Sequence, residues 1–115
     1  MMLTLFTEAV LDIIKHIPEG RVLTYGRVAA LAGNPGGARQ VSRILHSMSK
    51  KYDLPWHRVI NSKGRISLLP SMGRELQKAL LESEGVEFSG NGALDLNIYM
   101  WEKSNSRILP GEDCF

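Results

Sequence analysis

The chain has 115 residues, of which 43% are apolar, 23% charged and 7% aromatic, enough for one small domain with one core and not for a multidomain enzyme. Its single cysteine, Cys114, excludes an internal disulfide and a cysteine-bound metal, and no apolar run approaches the roughly 20 residues of a membrane span. The net charge of +2 conceals a basic middle: residues 1–20 carry −2, residues 66–115 carry −4, and residues 21–65 carry +8 through nine Lys and Arg against Asp53 alone, the footprint of a surface that meets phosphates or of a solvated basic face.

In chain order, the N-terminal stretch carries Glu8 and Asp12 where a signal peptide would carry neither, so the expected compartment is the cytoplasm, or the nucleoid in a bacterium. Leu3, Phe6, Val10, Ile13 and Ile17 recur at intervals of three and four, predicting a helix over 5–17 that Pro18 and Gly20 stop. Residues 21–25 favour a short strand, and Gly26 to Ala32 a short helix. The turn formers Gly33 to Gly37 precede a second helical pattern from Ala38 to Ser49, with Val41, Ile44, Leu45 and Met48 on one side. Short helix, glycine turn, longer helix is a helix-turn-helix signature. Arg39, Arg43 and His46 fall on the flank that the apolar residues leave free.

Leu54 to Ile60 is a compact apolar and aromatic segment, and the turn Asn61 to Gly64 predicts a hairpin-like wing reaching Leu69. Arg74 to Glu84 reads as a helix with Leu76, Ala79, Leu80 and Leu81 apolar, ended by Gly85. The alternation Leu94-Asp95-Leu96-Asn97-Ile98-Tyr99 predicts an edge strand. The expected fold is therefore mainly α with a small β component, a winged helix-turn-helix-like single domain over 1–103, followed by a flexible tail at 104–115.

Leu23-Thr24-Tyr25-Gly26, Ala29 to Pro35, Ala38-Arg39 and Pro55-Trp56-His57-Arg58-Val59-Ile60, in this order and spacing, resemble the DNA-binding domain of O6-alkylguanine-DNA alkyltransferases. Those enzymes carry Pro-Cys-His-Arg-Val, whose cysteine accepts the alkyl group. With Trp56 at that position the sequence looks like the alkyltransferase-like proteins. Alkyl transfer needs a thiolate that ends as a thioether, and an indole offers only an N–H donor and a flat apolar face, so no transfer and no catalytic residue is expected. Trp56 as a plain core aromatic is the bland alternative.

The resemblance implies a role for each matching residue. Arg39 is the finger that fills the gap left by an extruded nucleotide, Tyr25 turns the neighbouring phosphate, and Ala38 lets the helix approach the minor groove. Arg43, Lys50 and Lys51 neutralise phosphates, and Arg58 does so or braces the pocket. Trp56, His57, Arg58, Val59 and Leu69 form the alkylated-base pocket, and Glu84 supports it with His57. Two departures put lesion preference in doubt: Met48 stands where the enzymes have an asparagine, and Leu68 to Gly73 replaces their Tyr-Ser-Gly loop.

The expected function is a non-enzymatic sensor that binds O6-alkylguanine in duplex DNA, flips the base, and marks it for nucleotide excision repair. The expected partners are that duplex and nucleotide excision repair proteins, with no cofactor, metal or membrane. A sequence-specific helix-turn-helix regulator is the alternative, and an enzyme using His57 as general base ranks last. Regulators of that kind pair to span two half-sites, and with no dimerisation helix visible the chain is expected to be a monomer.

Overall fold

The structure, a computed structural model, describes residues 4–67 and 73–102. Leu69, the tail at 104–115 and Cys114 lie outside the described residues.

Thr4 opens the first helix, α1 (Leu5–Lys15), by accepting the Thr7 N–H at 3.0 Å, and Glu8 and Lys15 sit at the ends the helix dipole favours. Its inward face is Val10, Ile13 and Ile14, and Ile17 remains buried just beyond the last turn. The predicted strand at 21–25 shrinks to β1 (Leu23–Thr24) because the Thr24 hydroxyl accepts the Arg27 N–H at 3.0 Å and starts α2 (Tyr25–Leu31) one residue earlier than the pattern implies. After the turn through Gly33 comes α3 (Ala38–Met48), which packs on α2 and sends Val41 and Leu45 into the core. Helix-turn-helix geometry follows from these two faces meeting. Ile14, Ile17, Leu23, Val28, Val41 and Val59 share this cluster with almost no exposure, each side chain contributing about 1.5–3 kcal/mol by leaving water.

A 3₁₀ turn (Trp56–Arg58) leads into β2 (Val59–Ile60). The expected hairpin-like wing does not form among the described residues: β2 pairs in parallel with β1, Leu23 opposite Val59 and Thr24 opposite Ile60. A parallel pair needs a long crossover, and α2 and α3 supply it. Residues 61–65 are only a turn, with Asn61 N–H donating to the Arg65 carbonyl at 3.2 Å. Gly64 in that turn has φ +74°, and a Cβ there would stand 2.5 Å from the Leu94 carbonyl oxygen, so only glycine allows the Leu94 N–H to reach its carbonyl at 2.9 Å.

The fourth helix, α4 (Arg74–Ser83), buries Gln77 and Leu81, while Leu76, expected on its apolar side, is exposed. The predicted edge strand at 94–99 is instead a one-turn helix, α5 (Leu96–Tyr99), because Asp95 accepts the Asn97 N–H and caps it. Leu94 alone keeps a strand-like bridge, to Phe88, and Met100 makes another, to Val22. Val22, Ile60, Leu81, Val86 and Leu94 form a second buried cluster on this side. The result is a mainly helical domain with a two-stranded sheet, on which β2 holds the Trp56–Arg58 turn between α3 and α4.

Candidate nucleic-acid interface

Tyr25, Ser42, Leu45, His46, Ser49, Trp56 and Gln77 enclose a pocket of about 230 Å³. Three elements build it: the first residue of α2, one flank of α3 and the inward face of α4, with the 3₁₀ turn as floor. Trp56 is half-buried, packed on the core side and T-shaped against the His57 ring at 6.1 Å between centroids. The Tyr25 hydroxyl stands 3.5 Å from that of Ser67. Such a space admits one heterocycle and is smaller than most drug-sized sites.

Arg39, Arg43 and His46 are exposed along α3, opposite Val41 and Leu45, and Lys50 continues the stripe past the helix end. His46 lies on this exposed flank and also in the pocket wall, so the flank of α3 that carries Arg39 and Arg43 runs to the pocket. Arg43 also borders a broader open groove beside Phe6 and Asn34 that does not touch Trp56. Ala38, half-buried, is the first residue of α3.

Beneath the pocket lies an ionic clamp. Glu84, the residue capping α4, has a side chain 9% exposed and accepts from four donors: the Gly20 N–H at 2.9 Å, Arg58 Nη2 at 2.7 Å, Arg58 Nε at 3.1 Å, and His57 Nε2 at 2.7 Å. Burial alone would raise the Glu84 pKa, but the hydrogen bonds from Arg58, Gly20 and His57 and the nearby imidazole outweigh it and hold it at about 2. A carboxylate can only accept, so His57 Nε2 carries the proton of that bond. Arg58 Nη1 extends the clamp to the Ile17 carbonyl at 2.8 Å. Of the two roles open to Arg58, this geometry is that of a brace.

The structure therefore brings Tyr25 and Trp56 together at the pocket, sets His57, Arg58 and Glu84 behind it, and leaves Arg39 and Arg43 on the outer face of α3. Val59, expected to line the pocket, is fully buried in β2 opposite Leu23, because the strand that follows Arg58 turns its first side chain into the core. Sequence reasoning missed Gln77, whose Nε2 donates to the His57 carbonyl at 3.1 Å and the Val59 carbonyl at 3.0 Å. The signal was its place four residues before Leu81 and seven before Glu84, on the inward side of α4.

Residues 5–86 match the family described as 6-O-methylguanine DNA methyltransferase, DNA binding domain. The chain belongs to that family. Within this methyltransferase-domain family it is similar to the DNA base-flipping protein of Escherichia coli, 48% identical over 97 residues that cover 84% of this chain and 74% of the relative. It is also similar to alkyltransferase-like protein 1 of Schizosaccharomyces pombe, 43% identical over 102 residues, 84% of this chain and 94% of that one. The crystal structure of S. pombe Atl1 in complex with damaged DNA containing O6-carboxymethylguanine superposes with a TM-score of 0.75 at 41% identity, covering 89% of this chain and 99% of that one. The helical fold with its small sheet is thus shared with that structure.

Proposed function

We propose that this chain is a DNA damage sensor that binds O6-alkylguanine in duplex DNA through the minor groove, rotates the damaged nucleotide into the Trp56 pocket, and leaves the alkyl group on the base. The observation that carries this reading is the pocket itself. A single-heterocycle cavity is walled by Trp56, at the motif position where the alkyltransferases carry their acceptor cysteine, and opens beside the basic stripe of α3.

Each part has a physical task. A base inside a duplex must leave the stack before its O6 edge can be inspected. Arg39 suits the vacated space because a guanidinium stacks and donates several hydrogen bonds at once, and Tyr25 stands at the pocket mouth where the nucleotide would turn. Indole presents a flat apolar face to the flipped base, and base-on-aromatic stacking is worth about 1–3 kcal/mol. With no thiol in the motif the complex ends at binding, and a long-lived kinked complex is a signal that nucleotide excision repair proteins could read. The names of the relatives, a base-flipping protein and an alkyltransferase-like protein, support the same reading.

The test is equilibrium binding to two duplexes identical except for one O6-methylguanine, with the methyl group followed by mass spectrometry in the same samples. Preference for the lesion with the methyl retained on DNA is the expected result. Equal affinity would favour a sequence-specific regulator, and methyl loss would mean that transfer proceeds without the motif cysteine.

A further inference from the structure

Gln77 is 2% exposed, yet its carboxamide is only half satisfied. Nε2 donates to two backbone carbonyls, those of His57 and Val59. Carbonyl oxygens only accept, so these two bonds fix which end of the amide faces β2. That leaves Oε1 as a buried acceptor with no donor among the described residues, on a residue that walls the same pocket as Trp56 and Tyr25. A buried amide oxygen without a donor is disfavoured in a folded protein unless something else supplies one.

We infer that Gln77 Oε1 is the pocket's reader of a purine 2-amino group, which makes Gln77 a specificity-determining residue for guanine-derived over adenine-derived bases. This inference rests on the sensor reading above. The chemistry is narrow. In O6-alkylguanine the O6 oxygen is alkylated and N1 has lost its proton, so the only N–H donors left on the base edge are those of the exocyclic 2-amino group. Adenine and its N6-alkyl derivatives have no such group. An apolar pocket wall cannot distinguish these purines, whereas a site built around a hydrogen bond penalises the analogue that leaves its acceptor unpaired. The carbonyls of His57 and Val59 each already accept one hydrogen bond from Gln77, whereas Oε1 accepts none among the described residues.

The experiment compares binding of the full chain to duplexes carrying O6-methylguanine, 6-methoxypurine (the same base without the 2-amino group) or unmodified guanine at one position. Wild type is expected to prefer O6-methylguanine over 6-methoxypurine by roughly ten-fold, the worth of one hydrogen bond to a buried acceptor. Gln77→Lys keeps a donor for the two carbonyls and removes the acceptor, so its ratio is expected to fall to about one. Gln77→Leu, of similar volume and with no acceptor, is expected to lose the preference likewise and carries the test if the lysine variant does not fold; the ten-fold ratio kept by it overturns the role of Gln77. A wild-type ratio of one, with lesion preference over guanine intact, overturns the role of Gln77 alone. A lysine variant that folds and keeps the ten-fold ratio overturns it too, since another group would then read the amine. Loss of preference for O6-methylguanine over guanine in wild type removes the sensor reading and this inference with it.

Discussion

His57 Nε2 and Glu84 Oε2 meet at 2.7 Å across 27 residues of sequence, which ties the segment under the pocket to the end of α4. Because Arg58 and the Gly20 N–H converge on the same carboxylate, one side chain holds three separate pieces of chain in register. The clamp sits behind Trp56, so what it stabilises is the shape of the pocket floor.

Stability should fall in acid as this clamp titrates. Glu84 is held at about 2 against an ordinary value of 4.5, so the folded state prefers the ionised carboxylate. Its contribution is complete above about pH 4.5 and is lost as pH drops through that value toward 2, amounting to about 3 kcal/mol. Urea unfolding followed from pH 6 to pH 2 should show the loss, and Glu84→Gln should flatten that part of the profile. An unchanged profile in the variant would assign the acid sensitivity to other carboxylates.

Arg58→Lys should destabilise by about 2 kcal/mol although the charge is kept. Arginine reaches both Glu84 and the Ile17 carbonyl from one planar group, and an ammonium on a flexible stem cannot reproduce that fork. For a domain of this size the loss corresponds to a melting temperature lower by on the order of 10 °C. A lysine variant that melts with wild type would show that only the charge matters.

How much of this was legible in the sequence depends on whether the interaction leaves a periodic trace. Val10, Ile13 and Ile17, or Val41 and Leu45, mark buried helix faces because burial repeats every three to four residues. Leu94, Leu96 and Ile98 mark a strand by the same logic, yet Ile98 is 59% exposed, since a single side-chain cap at Asp95 decided the local conformation. The parallel pairing of β1 with β2 has no local signature at all, for it depends on how α2 and α3 pack. The same holds at the site. Trp56, His57 and Glu84 could be placed through the motif, but the donors at Gly20 and the acceptors met by Gln77 are backbone atoms, which no residue type announces.

Arg39→Ala should weaken binding to lesion duplex by roughly ten- to a hundred-fold while changing stability by less than about 0.5 kcal/mol. The side chain is exposed at the start of α3 and takes no part in the core. Fluorescence anisotropy and thermal melting on the same preparation separate the two effects. Unchanged affinity would remove Arg39 from the gap-filling role.

Salt dependence should report the phosphate contacts of the basic stripe. If Arg43, Lys50 and Lys51 each neutralise one phosphate, they contribute roughly −2.7 to the slope of log affinity against log salt, and Arg43→Ala should reduce the slope by about 0.9 for damaged and undamaged duplex alike. A salt-insensitive complex would contradict a phosphate-bound surface.

Trp56→Cys should bind O6-methylguanine without efficient methyl transfer. The variant would place a thiol next to His57, whose Nε2 is already donated to Glu84 at 2.7 Å, so part of an activating relay stands ready. A thiol attacks only as thiolate, and transfer also requires the carbon on O6 to be held in line at near contact. Met48, a thioether with no hydrogen-bond donor to offer, stands where the alkyltransferases have an asparagine, and replacing the indole by a thiol enlarges the cavity around the base. Both changes loosen the attack geometry. Incubation with excess methylated duplex followed by intact-protein mass spectrometry should show the variant largely unmodified over times in which it binds to equilibrium. Rapid gain of one methyl per chain would mean that the His57–Glu84 pair alone is enough to activate a thiol in this fold.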